Sequence, residues 1–217
     1  MTIARFHAVM LAVLLAGAPA LAAPTGIADD FESYGLGGLP APLWLDAGGF
    51  DPQPPVAALP SATVESTTDA FGAPTQALAI SDQVALLSGI YQPVPLSTRY
   101  SLAADVRVDR FNDAPTFPTA DFPIQLTFAE VKRNFYTTPQ AGIYASSLTQ
   151  SWRLFLLEDV GNLSADIDLA PVTPGQWVRL AFALDTATGD WRVSITDIAG
   201  GLTLVDKIGR ASCRERV

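Results

Sequence analysis

The sequence predicts an all-β domain of two packed sheets, and three observations carry that prediction. Apolar residues alternate with polar ones in short runs, the period of a strand with one buried face. The runs recur with Gly, Pro, Asp, Asn and Thr between them, at roughly the 8–12 residue spacing of sandwiches and barrels. No stretch after the N-terminal leader carries a convincing helical period.

Taken in chain order, residues 1–22 read as a secretory leader. Arg5 supplies its positive charge, Ala8 to Ala16 its apolar run, and Ala20-Leu21-Ala22 a small-x-small cleavage site before Ala23. Gly17 and Pro19 interrupt the run well short of the roughly 20 apolar residues that span a bilayer. No later segment reaches that length, so the expectation is an exported protein, extracellular, periplasmic or at the cell surface, with no transmembrane segment. Residues 23–206 are expected to form the domain.

Within it, Tyr100 to Asp109 puts Leu102, Ala104, Val106 and Val108 on one face, with Asp105, Arg107 and Asp109 on the other. Trp177 to Leu184 repeats the pattern with Val178, Leu180, Phe182 and Leu184 inward. Asp185 to Asp190 is then a turn, and Trp191 to Thr196 returns as its hairpin partner. Further strands are expected at 43–46, 62–66, 76–81, 85–92, 124–131, 141–146, 152–158, 163–169 and 202–206, about a dozen in all. That many short strands in one domain fit two sheets better than one open sheet. The Pro-rich stretches 52–60 and 112–123 read as connecting loops, since proline cannot sit in a central strand.

The C-terminal decapeptide Ile208 to Val217 combines three arginines, the sole cysteine of the chain and no strand pattern. An adapter-like oligonucleotide encodes it residue for residue. Residues 207–217 are therefore expected to be a sequencing-adapter artefact, with the native chain continuing differently after Asp206.

Setting both ends aside limits the chemistry. His7, Met1 and Met10 lie in the leader and Cys213 in the tail, so residues 23–206 contain no His, Cys or Met. A Ser-His-Asp triad, a thiolate nucleophile, a histidine-ligated zinc and a disulfide framework all lack their parts. The whole chain has 13 Lys and Arg against 22 Asp and Glu; residues 23–206 keep 8 and 21 of them, a net charge of −13. Such a surface argues against nucleic acid and anionic lipid, which need basic patches.

Several of these features together resemble the LamG-like members of the concanavalin A-like lectin/glucanase superfamily. They are Asp29-Asp30-Phe31-Glu32-Ser33-Tyr34 with Gly35 and a following Trp44, the Thr63 to Ser81 strand-turn-strand, the strand from Tyr100, and the hairpin opened by Gly175-Gln176-Trp177. The resemblance implies a two-sheet jelly-roll β-sandwich, and a carbohydrate-binding or adhesion module. It also brings in a polysaccharide-acting glycoside hydrolase or lyase, or a structural envelope protein that has lost a C-terminal anchor, as alternatives. Glucanases of the superfamily carry carboxylates at alternate strand positions, as in E-x-D-x-x-E, which this chain lacks. Asp166-Ile167-Asp168 and the pair Asp105 and Asp109 are the nearest spacings, and both read as solvated strand faces. Lyase relatives use a histidine, absent from residues 23–206. The expectation is therefore a non-catalytic module.

Candidate glycan contacts are Tyr136, Tyr144, Trp152 and Arg133, because sugars stack apolar faces on aromatic rings and offer hydroxyls to charged groups. Lys132-Arg133 with Asn134-Phe135-Tyr136 is the one basic and aromatic cluster, and it reads equally as a solvated hairpin tip. Trp152 opens a run apolar on both faces except at Arg153, the pattern of a doubly buried strand. No cofactor is required. Calcium is the ion that abundant carboxylates and missing imidazoles would suit, with Asp30 and Glu32 as candidate ligands. Asn162-Leu163-Ser164 matches the N-glycosylation triplet.

Overall fold

The structure, a computed structural model, describes residues 3–7, 28–41, 43–46, 62–81, 90–91, 97–109, 111, 124–129, 140–146, 148–159 and 162–210. The described elements are thirteen strands and no helix: β1 Ile3–His7, β2 Leu45–Asp46, β3 Ala62–Thr68, β4 Pro74–Ser81, β5 Ile90–Tyr91, β6 Arg99–Val108, β7 Ile124–Ala129, β8 Gln140–Ser146, β9 Ser151–Asp159, β10 Asn162–Pro171, β11 Trp177–Asp185, β12 Asp190–Asp197 and β13 Thr203–Arg210. All recorded strand pairs are antiparallel. The described residues therefore have the expected all-β class. No helix among the described residues is long and apolar enough to cross a membrane.

A seven-stranded sheet runs β13-β12-β11-β6-β1-β4-β3, a four-stranded sheet β10-β9-β8-β7, and β2 pairs with β5. Alternation sets which face is buried. Along β6, Ala104, Val106 and Val108 are at most 1% exposed while the residues between them are only partly covered. Leu180 and Phe182 of β11, Val193 and Ile195 of β12, and Val64 and Leu78 of the β3–β4 hairpin continue the same inner face. Ile143 of β8 and Trp152, Leu154 and Leu156 of β9 join them in one hydrophobic cluster, so the two sheets share a core. Across the edges, the Lys207 Nζ of β13 donates to the Asp168 carbonyl of β10 at 2.9 Å.

The turns follow their chemistry. Between β11 and β12 the Asp185 carboxylate accepts from the Ala187 and Thr188 amides at 3.0 and 3.3 Å, and Gly189, at φ 73°, donates to the Asp185 carbonyl at 2.8 Å. Between β3 and β4 the Asp69 carboxylate accepts from the amides of Phe71 and Ala73, both at 2.8 Å. Phe71 stands at that tip 75% exposed. β13 extends through Arg210 and so includes residues 207–210 of the segment expected to be foreign. Gly209 lies opposite Trp191, and a Cβ there would fall within the indole ring.

The outer face of the larger sheet is laced by Arg–Asp pairs. Arg179 grips Asp105 with two bonds of 2.6 and 2.7 Å, Arg99 holds Asp185 at 2.8 Å, Arg192 holds Asp206 at 2.9 Å and Arg210 holds Asp190 at 2.6 Å. Arg107 pairs with Asp109 at 2.6 Å, lies 5.0 Å from the Trp177 ring centre, and reaches Thr67 Oγ1 at 3.2 Å. β6 and β3 are three strand spacings apart, roughly 14 Å if flat. Arg107 nonetheless touches Thr67 across that interval.

These pairs give the fold an acid dependence. The Arg partners hold Asp185, Asp190 and Asp206 below the ordinary carboxylate value of 3.8. A folded pKa lowered in this way means that the stabilisation is complete above 3.8 and is lost as pH falls through the lower folded values. A thermal-unfolding series should show the melting temperature dropping below that pH, with a shallower drop in Asp185→Asn. An unchanged acid limb in the variant would remove Arg99–Asp185 from this account.

Candidate functional site

The outer face of the four-stranded sheet gathers the polar groups best suited to bind a ligand. Asp168 of β10, Arg153 of β9 and Tyr144 of β8 stand in register across three strands. The alternation that sends Trp152 and Leu154 into the core sends Arg153 outward, and the same holds for Tyr144 between Ile143 and Ala145. Arg153 Nε donates to Asp166 Oδ1 at 2.8 Å and Nη1 to Asp168 Oδ1 at 3.0 Å. Tyr144 donates its hydroxyl to Asp166 Oδ1 at 3.2 Å, and Ser151 donates to Asp168 Oδ1 at 2.6 Å. The Thr149 hydroxyl is 2.7 Å from that of Ser151. A register shift between Asp168 and Ala170 marks an irregularity in β10 beside this cluster.

The network grades from buried to open. Tyr144 is 4% exposed, its ring 5.8 Å from that of Phe155 in edge-to-face geometry. The side chain of Asp166 is 31% exposed and that of Asp168 66%. The Arg153 guanidinium is held protonated more firmly than usual, first by its hydrogen bond to Asp166. A cation fixed between two carboxylates leaves them as acceptors pointing at solvent.

A second locus is the acidic turn ahead of β2. Asp29 is its hub: its carboxylate accepts from the Phe31 amide at 2.9 Å, the Tyr34 hydroxyl at 2.7 Å and the Trp44 indole at 2.6 Å. Those bonds hold Phe31, fully buried, at φ 62°, a left-handed conformation that a bulky residue adopts only under surrounding constraint. Asp30 Oδ1 accepts from the Glu32 amide at 3.1 Å, and Glu32 Oε1 accepts from the Thr75 hydroxyl and, at 2.9 Å, from the Gln76 amide. The turn is thereby tied to β4. An open hollow of about 460 Å³ beside it is lined by Ala28, Asp29, Asp30, Ser33, Tyr34 and Leu43.

The expected site residues are thus distributed. Tyr144 stands in the outer-face network, Trp152 is 2% exposed within the core, and Tyr136 and Arg133 lie outside the described residues. Asp30 and Glu32 share one turn but bond in different directions, and among the described residues no three of His, Cys, Asp and Glu gather as a metal cluster. Sequence reasoning recognised Asp166 and Asp168 as one strand face and missed their link to Arg153. The lone arginine in an otherwise apolar strand was the available signal, because a charge there needs a partner on a neighbouring strand.

No protein-family model, curated protein or solved structure matches the chain.

Two outcomes test these placements. Burial, and then the hydrogen bond to Asp29, push the Tyr34 hydroxyl up to about 12 from 10.0. A raised folded pKa means that its contribution is intact below the ordinary value and is lost as pH rises through the folded one. Phenolate absorbance should therefore include an ionisation near 12 that disappears in Tyr34→Phe; its absence from the wild type would contradict the bond. For Trp152, truncation to alanine should cost about 3–5 kcal/mol in denaturant unfolding, the range for emptying a buried aromatic site. A loss under about 1 kcal/mol would place Trp152 outside the core.

Proposed function

We propose that this chain is an exported, non-catalytic carbohydrate-binding or adhesion module, built as a LamG-like jelly-roll sandwich. The leader-like residues 1–22 support export. Antiparallel sheets around a shared core support a layered β architecture. The observation that carries the binding reading is the row Tyr144–Arg153–Asp166–Asp168–Ser151 on the outer face of the smaller sheet. Glycan hydroxyls both donate and accept, and this row presents the partly exposed carboxylates of Asp166 and Asp168 with the Arg153 guanidinium between them, held in place by the buried Tyr144 and Ser151 hydroxyls. Fixed polar groups lose little entropy when a ligand arrives, so even modest contacts add to affinity.

Asp168 is the most open member, and among the described residues its Oδ2 carries no bond. A sugar hydroxyl bonded to a carboxylate contributes about 1.5–3 kcal/mol. Saturable binding of the purified protein is expected on a glycan array. Asp168→Ala should weaken it about tenfold or more, since tenfold corresponds to about 1.4 kcal/mol. A folded protein that binds no glycan, with or without added calcium, would defeat the reading. Equal binding by wild type and Asp168→Ala would move the site off this face.

A further inference from the structure

The sheet order makes β1 an interior strand. Ile3 to Phe6 pair in register with Ser81 to Leu78 of β4, and Ala4 to His7 pair with Val108 to Asp105 of β6. Yet these residues belong to the segment that reads as a cleaved leader. Positions 4 and 6 are level with Ile80 and Val108, and with Leu78 and Val106. Leu78, Val106 and Val108 are at most 2% exposed with the strand in place. Taking it away would leave two facing backbone edges without partners and an apolar floor between them, both costly in water. Closing the gap would need β4 and β6, both antiparallel to β1 and so parallel to each other, to move together by a strand spacing and pair anew in a parallel ladder. They cannot exchange with one another the bonds each makes to β1.

We propose that removal of the leader on export opens a strand-acceptor slot between β4 and β6, and that the slot takes an extended segment of a protein partner. The partner segment runs antiparallel to both edges and is apolar at the two alternate positions held in the precursor by Ala4 and Phe6. The seat argues for this occupant: its walls are main-chain donors and acceptors, which recognise an extended backbone, and its floor is apolar at every second position. Paired on both sides, the incoming strand makes twice the main-chain bonds available at an ordinary sheet edge. The proposal rests on the export reading, since a retained leader would keep the slot filled.

The test uses the full chain with a protease site inserted after Ala22, purified folded and then cleaved. The probe is a fluorescent peptide of residues 2–8. Cleaved protein should bind it at least about tenfold more tightly than intact protein, and a peptide carrying Ala4→Asp and Phe6→Asp should lose the binding. Equal binding by both forms, or none by cleaved protein that keeps its β circular-dichroism spectrum, would overturn the slot. So would self-association of the cleaved protein that shuts the peptide out, because a second copy would then be the occupant. Mass spectrometry of the N-terminus of the exported protein separates the two readings. A retained leader defeats export processing, while the peptide experiment still decides whether the slot exists.

Discussion

Strand β6 is the constraint on which the larger sheet depends. It alone joins the meander β11-β12-β13 to the group β1-β4-β3, so every register in the sheet is set relative to it. Its period-two pattern is strict: Ala104, Val106 and Val108 enter the core, and Asp105 and Arg107 stay out. A slip of one residue would turn the whole inner row to solvent and bring the charges inside. Partners on each side enforce the same register, with Val178 and Leu180 opposite Val106 and Ala104, and Asp105 opposite Arg179. Apolar burial and the bidentate ion pair thus select one alignment together.

The charge distribution follows from that alignment. The chain is strongly acidic, but the described arginines between Arg99 and Arg210 each carry an aspartate partner on a sheet face. Each of these positive charges is thus neutralised locally by an acid. On the larger sheet the pairs mostly link neighbouring strands and act as register pins. On the smaller sheet the arrangement differs, since one Arg153 is shared by two aspartates of β10 and also stands beside a tyrosine hydroxyl and a serine. That concentration of groups sets the smaller sheet's face apart as the place to look for a ligand.

Most of the fold was legible, because alternation is a local property. The strands beginning at Tyr100 and Trp177 and the turn from Asp185 to Asp190 can be read from spacing and turn chemistry alone, and the structure places them within a residue or two. What sequence could not supply was pairing between strands. Arg153 precedes Asp166 and Asp168 by more than a dozen residues, and only the β9–β10 register brings them together. Asp29 likewise reads as one acid in an acidic motif. Its role as the hub for Phe31, Tyr34 and Trp44 depends on a chain reversal that positive φ at Phe31 creates, and no residue preference announces such a conformation at a phenylalanine. Trp177 alternates away from the inward row of Val178, Leu180 and Phe182, yet it is buried, with Arg107 over its ring on the outer face of the sheet.

Arg153 also fixes the geometry of the acids around it. Strand β9 is otherwise apolar on both sides from Trp152 to Leu156, so a cation there is expensive unless neighbouring acids and main-chain polarity compensate it. Asp166 and Asp168 provide that compensation, and their positions are fixed by the need to do so. Acids so committed are held in place by the guanidinium between them. They do present acceptors in a fixed geometry, because the guanidinium that holds them is itself seated on a rigid strand. The demand that a charge on a buried strand be neutralised therefore builds, as its by-product, a preorganised polar surface.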